Sequence, residues 1–203
     1  MPFALNRRAL LCVISAPSGG GKSAVLQEIL TRVPDLHYSI SYTSRPPRGD
    51  EVGGKDFHFV SRLKFEEMIA AGAFYEHAEV HGNLYGTSAE VVETMLGERR
   101  DVAMDLDVQG GLNVKKRLPD SVLIFLMPPS MEVLEQRLRG RETDDEEQIC
   151  LRMENAKREI EHWNQYDYIV MNEELERTVE EVERIIEAER RRASRSELKR
   201  NGR

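Results

Sequence analysis

Cysteine is almost missing from this chain of 203 residues: Cys12 and Cys150 are the only two. Two thiols make no disulfide framework and stand at no metal-ligand spacing, so the chain reads as cytoplasmic. Long hydrophobic runs are missing too, and nothing approaches the ~20 apolar residues of a membrane helix. Positive charge is in deficit, with 29 Lys and Arg against 36 Asp and Glu and a formal net charge of -7. The average field therefore repels nucleic acid and anionic membrane, and basic clusters must serve local purposes. Repeats and low-complexity tracts are absent as well. What remains, 40% hydrophobic and 32% charged, fits one compact domain with smaller inserted lobes.

Arg7 and Arg8 before "ALLCVISA" imitate a short signal peptide, but the run passes without a break into a glycine-rich stretch and is read as a retained strand. Leu10 to Ile14, Val102 to Val108 and Val122 to Met127 are short apolar runs of the kind buried on both faces of a parallel sheet, and Tyr168 to Met171 reads as a last strand. Helical spacing marks Ser23 to Val33, Lys64 to Ala71, Met131 to Arg139, Glu146 to Trp163 and Glu176 to Arg192. "HYSISY", His37 to Tyr42, alternates like one strand, and "FHFV" like another. "GAFYEHAEVHGNLYGTS" reads as extended chain with turns at Gly82 and Gly86. Strands alternating with helices predict a three-layer α/β fold whose ligand crevice lies at the carboxyl ends of the strands.

Between the first strand and the first helix stand Ala16, Pro17, Ser18, Gly19, Gly20, Gly21, Lys22 and Ser23. This is the phosphate-loop pattern with alanine in place of its first glycine, tolerable if Ala16 keeps a negative φ. Backbone N–H groups can converge on phosphate oxygens only where no Cβ intervenes, and the following helix aims its positive end there. Lys22 then supplies a point charge for the outer phosphates and the Ser23 hydroxyl a magnesium ligand. Arg45 and Arg48 sit three apart around two prolines in "SRPPRGDEVGGKD", so both forks can face one phosphate monoester. Asp105 and Asp107 in "VAMDLDV", read as a single strand, share a face at its carboxyl end. Acids inside such a run are costly unless used.

"SAPSGGGKS", "SYTSRPPRGDEVGGKDFHFV", "EHAEVHGNLYGTS", "DLDVQGG", "LMPPS", "RLRGRETDDEE" and "YIVMNEEL", in this order from about Leu10 to Glu189, resemble the guanylate kinases. The resemblance implies a P-loop NTPase-type parallel sheet, ATP as phosphate donor, Mg2+ as cofactor, and GMP, with dGMP, as acceptor. It places Arg45, Arg48 and Tyr85 on the GMP phosphate and Ser41, Glu76, Thr87 and Asp107 around guanine. Lid arginines Arg137, Arg141 and Arg152 would clamp the ATP phosphates, Ala24 would join the phosphate loop, Asn172 would lie beside adenine, and Asp105 would support Mg2+ through water. Guanine's N1 and N2 donors suit two carboxylates, whereas adenine has no donor at N1. "GKDFHF" has Phe57 where the family usually carries a tyrosine whose hydroxyl meets the GMP phosphate.

The expected division is a core over about 9–35, 91–139 and 165–192, a mixed GMP-binding lobe over 36–90, a lid over 140–164, and a basic tail over 193–203 that frays in solvent. Two other functions share the resemblance: a kinase for a sugar phosphate such as ribose 1,5-bisphosphate, and a non-catalytic binding module. Retention of the four guanine-side residues argues against the first, and Lys22 with an arginine-rich lid against the second. His77 and His81, four apart in an extended segment, do not match a helical metal pair.

Overall fold

A computed structural model describes residues 3–80, 82–140 and 145–200. After β1 (Phe3–Arg7), β2 (Leu11–Ser15) is buried at every position. Its side chains enter two different cores, Cys12 and Ile14 with Leu10 on one side, Leu11 and Val13 on the other. A strand that is apolar without alternation needs both faces covered, and parallel pairing with crossover helices provides the covers.

Next in the chain come α1 (Lys22–Arg32) and β3 (Leu36–Tyr38), then a second sheet built from β4 (Tyr42–Thr43), β5 (His58–Phe59), β6 (Phe74–Val80) and β7 (Asn83–Ser88), with α2 (Arg62–Ala70) between β5 and β6. The chain then returns through α3 (Ala89–Gly97), β8 (Asp101–Asp105), α4 (Val108–Arg117) and β9 (Val122–Met127). It ends with α5 (Met131–Arg139), α6 (Glu146–Ile160), β10 (Tyr168–Met171), α7 (Leu175–Arg190) and β11 (Ser196–Arg200).

Among the described residues the main sheet has five parallel strands in the order β10-β9-β2-β8-β3. α1 and α7 cover one face through Val25, Ile29, Val179, Val182 and Ile186. α3 and α4 cover the other through Val92, Val108 and Val114. This is the three-layer parallel architecture read from the sequence. The second sheet, ordered β5-β4-β7-β6, is mixed and has its own small core of Phe65, Phe74 and Leu84.

Several local expectations change. "HYSISY" is not one strand: Leu36–Tyr38 pairs with β8 in the main sheet, and Tyr42–Thr43 pairs in the second, so the second sheet begins after Tyr38. Local alternation cannot distinguish these, because the partners lie elsewhere in the chain. Gly86 makes no turn; it sits within β7, where a Cβ would meet the Phe74 ring at 2.9 Å. The strand through Asp105 ends there, and Asp107 caps α4 by accepting from the Gly110 N–H at 2.7 Å. The long helix closes at Ile160, three residues before Trp163.

The tail is the largest correction. Rather than fraying through 193–200, it makes a short 3-10 turn at Ala193–Arg195 and pairs antiparallel with β1, Leu5 opposite Leu198. Two of the arginines in and just before it, Arg190 and Arg195, are bound rather than solvated. Arg195, 6% exposed, lies 3.5 Å from the buried Glu189 and donates to the Asp120 carbonyl, and Arg190 reaches the fully buried Asp101 at 2.7 Å. Asp101 also accepts both Arg7 Nη groups at 2.6 and 2.9 Å and the Leu10 N–H at 2.8 Å. One carboxylate thus ties β8 to the start of β2, to β1 and to α7.

Cys12 is buried and Cys150 exposed, and both are free. Among the described residues no helix is long and apolar enough to cross a membrane.

Asp101→Ala leaves two partly buried arginines facing each other without a counter-charge. Losing one partner of a buried ionic network typically costs about 3 to 5 kcal/mol. The urea midpoint should fall accordingly with the slope unchanged, and a midpoint equal to wild type would remove Asp101 from this role.

Candidate functional site

The phosphate loop forms where β2 stops at Ser15 and α1 starts at Lys22. Gly21, the N-cap of α1, has φ 84°, and no side chain caps the helix. A Cβ there would lie 2.7 Å from Asn172 Nδ2, so glycine answers both a left-handed backbone and a close neighbour. The first-turn amides remain open to an anion. Ala16 is not among the residues with positive φ, so alanine fits at this position.

Two props hold the loop from outside. Asn172 Nδ2 donates to the Gly20 carbonyl at 2.6 Å, while its Oδ1 accepts from Thr178 at 3.1 Å. Glu159 on α6 accepts from the Ser18 N–H at 2.9 Å, and burial pushes its carboxyl above the ordinary range. Lys22 Nζ lies 3.8 Å from Asp105 Oδ2, whose other oxygen accepts from the Tyr38 hydroxyl at 2.8 Å. Burial, then the charge of Asp105, raises Tyr38, so the phenol stays protonated.

The second sheet carries the facing wall. Arg45, only 6% exposed, donates through Nε to the Tyr85 hydroxyl at 3.1 Å and through both Nη groups to Glu51 at 2.6 and 2.7 Å. Glu51 also accepts from the Arg48 N–H at 2.8 Å. The Arg45 guanidinium stands 4.9 Å over the half-buried Phe57 ring. Deeper in, the Ser41 and Thr87 hydroxyls lie 3.3 Å apart, and Thr87 donates to Glu76 Oε1 at 3.1 Å. Glu76 is pushed up to about 7, first by burial and then by the Asp107 charge. Gly110 leaves room for it, since a Cβ would sit 2.9 Å from Glu76 Oε2.

A cavity of about 420 Å³ joins the two walls, within the usual range for small-molecule sites. Ala16 through Ala24, Ser41, Arg45, Arg48, Glu76, Tyr85, Asp105, Asp107 and Arg152 line it, as the sequence reading brought them together. Thr87 stands fully buried behind Glu76. Asn172 is 4% exposed with its amide taken up beneath the loop, where the resemblance had put it beside adenine. Arg137 donates through Nη2 to the Asn172 carbonyl at 2.8 Å, and its buried Nη1 has no hydrogen-bond partner and points toward Gly21. Arg141 and His81 lie outside the described residues.

Glu51, Glu159 and Tyr38 were missed by the sequence reading. Glu51 had a local signal, standing three residues after Arg48 in "RPPRGDE". The other two meet their partners only through long-range packing.

The sequence pattern of the guanylate kinase family matches residues 8–189. A guanylate kinase of Syntrophotalea carbinolica is 48% identical over 191 residues, covering 94% of this chain and 91% of that protein. One of Rhizobium meliloti is 45% identical over 195 residues, covering 96% and 89%. The solved guanylate kinase of Anaplasma phagocytophilum has a TM-score of 0.82 at 32% identity, covering 95% of this chain and 92% of that one. The match runs through both walls of the cavity and the sheet that joins them, and the chain belongs to the guanylate kinase family.

Proposed function

We propose that this protein transfers the γ-phosphate of ATP to GMP, and to dGMP, giving ADP and the nucleoside diphosphate. The observation that carries this reading is one cavity with an uncapped phosphate loop on one wall and, on the other, a buried carboxylate together with two arginines. Lys22 and the amides of Gly19 to Ala24 suit the donor phosphates. Arg45, Arg48 and Tyr85 suit the phosphate of GMP, and Ser41, Glu76, Thr87 and Asp107 its base. Arg137 and Arg152 approach the donor side from α5, at the end of the core, and from α6, which we assign to the lid.

Ser23 and Asp105 both border the cavity and offer hard oxygens, one neutral and one anionic, the donor types Mg2+ takes beside water and phosphate. Among the described residues no group of three or more His, Cys, Asp or Glu could hold a metal alone, so phosphate and water would complete the shell. When bound, Mg2+ neutralises charge on the outer phosphates. The chain's own part is positioning and charge. Lys22 meets the charge that develops on the transferring group, and Arg45 and Arg48 orient the attacking phosphate. No general base is required, because a phosphate monoester with a second pKa near 6 is largely ionised at neutral pH. Lid arginines help exclude the water that would otherwise accept the phosphate. A location in the cytoplasm is supported by the two free thiols.

The decisive measurement is ADP release with GMP, AMP and ribose 1,5-bisphosphate as acceptors. AMP leaves the buried acceptor of Glu76 unpaired, so kcat/KM for GMP should exceed that for AMP by up to ~10⁴-fold. A kcat/KM for AMP or ribose 1,5-bisphosphate equal to that for GMP overturns the assignment.

Glu76 gives this site a pH signature. Guanine's donors need the carboxylate, so kcat/KM for GMP should fall as pH drops through about 7, with ATP affinity unaffected. Stability moves the other way. The folded pKa is raised above the ordinary 4.5, so the folded state keeps a proton that the unfolded chain releases, and stability declines between pH 4.5 and about 7. Glu76→Gln should therefore melt higher than wild type at pH 8, show no such gain at pH 4, and use GMP poorly. A lower melting temperature at pH 8 contradicts the buried-carboxylate account.

Phe57 borders the cavity beside Arg45 and Tyr85. Phe57→Tyr adds a donor on that wall, and with Arg45, Arg48 and Tyr85 already serving the phosphate the new hydrogen bond should be worth no more than about 1.5 kcal/mol, the low end for a charged acceptor. KM for GMP should drop by roughly tenfold or less with kcat little changed. A reduced melting temperature with unchanged KM would mean the hydroxyl is buried without a partner.

A further inference from the structure

Tyr38 belongs to none of the groups described above as touching a substrate. It ends β3 at the edge of the main sheet, opposite Ala103 of β8 in parallel register. Its ring packs against the core shared by α1 and α7, and its hydroxyl leaves that core to donate to Asp105 Oδ1 at 2.8 Å. Asp105 is the last residue of β8, and its Oδ2 faces Lys22 Nζ at 3.8 Å.

A carboxylate at a strand end has several accessible rotamers, and only some aim an oxygen at the phosphate loop. A hydrogen bond to one oxygen removes that freedom and fixes where the second oxygen points. The donor here is anchored by packing, so it is itself preorganised. It is also neutral, so it orients Asp105 without cancelling the charge that a cation would feel. An arginine or lysine in this place would orient equally well and compete with the metal.

We infer that Tyr38 is a positioning residue of the phosphate-transfer site, holding Asp105 so that its free oxygen faces the Lys22–Ser23 end of the cavity and supports Mg2+ through water. The inference rests on the proposed reading of Asp105 as a support for Mg2+. It adds to that reading a residue outside the cavity lining. The same tyrosine could serve packing alone, in which case the ring matters and the hydroxyl does not.

Tyr38→Phe separates the two, since it keeps the ring. The readout is binding rather than turnover: the dissociation constant of ATP measured calorimetrically in EDTA and again at saturating Mg2+, without GMP. Their ratio reports how much the protein helps to hold the metal on the nucleotide. Tyr38→Phe should shrink this ratio by about tenfold, the lower edge of what losing the partner behind a metal-supporting carboxylate costs. ATP affinity in EDTA should change by less than about twofold, within the scatter of a contact not used. Asp105→Asn should shrink the ratio at least as much, and Tyr38→Phe with Asp105→Asn together no further than Asp105→Asn alone, because the hydroxyl acts through that carboxylate. If Asp105→Asn shrinks the ratio and Tyr38→Phe does not, the inference falls and the reading of Asp105 stands. If neither does, both fall. Additive losses in the double variant, accompanied by a lower melting temperature, assign Tyr38 to packing and overturn the positioning role.

Discussion

Everything at the site turns on helix α1 beginning at a glycine that gives it no cap. A helix start often satisfies its first amides with a side-chain oxygen, and α2 through α6 do so through Ser61, Ser88, Asp107, Ser130 and Asp145, while α7 like α1 has no side-chain cap. α1 is left open, and the surrounding chain bears the consequence. An unsatisfied, left-handed loop does not hold its shape unaided, so Asn172 supports it below at Gly20 and Glu159 fastens it at Ser18. Both supports come from the last third of the chain, and the sheet order brings them there. β10, which leads into Asn172, pairs with β9, and β9 with β2.

The facing wall follows a different logic. There the polar groups are buried first and find partners among themselves: Arg45 with Glu51, Thr87 with Glu76, and Ser41 beside Thr87. Glu76 alone is carried at a cost, held against Gly110 and near Asp107 with one hydroxyl donor. A fold selected only for stability has no use for that carboxylate. Its presence marks the place where recognition outweighs packing.

Four of the five central strands were legible because they are short, mostly apolar runs. β2, β9 and β10 emerged within a residue of their sequence limits for that reason. The phosphate loop was legible because glycine spacing is set by backbone geometry within a few residues. Features that depend on distant partners were not. "HYSISY" has the right alternation for a strand and no internal mark of which sheet takes each half. "VAMDLDV" read as one strand through Val108, yet Asp107 caps a helix there, and Gly111 is needed where a Cβ would come within 3.0 Å of Ser15 Oγ and Tyr166 OH. The tail misled through its charge. Seven basic residues against one acid over 190–203 look solvated as a group, yet Asp101 receives Arg190, and Glu189 with the Asp120 carbonyl receives Arg195. Tyr38 and Glu159 carried no local signature at all.

The pairing of β1 with β11 sets a timetable for folding. Phe3 stands opposite Arg200 in the ribbon, so two segments almost the whole described chain apart must meet to close it. β2, in mid-sheet, likewise waits for β8 and β9. The second sheet and its own small core can assemble from neighbouring sequence while the strand that carries the phosphate loop is still without partners. The second sheet is thus made largely of near contacts and the strand that carries the phosphate loop of far ones, and far contacts carry the larger loop-closure cost.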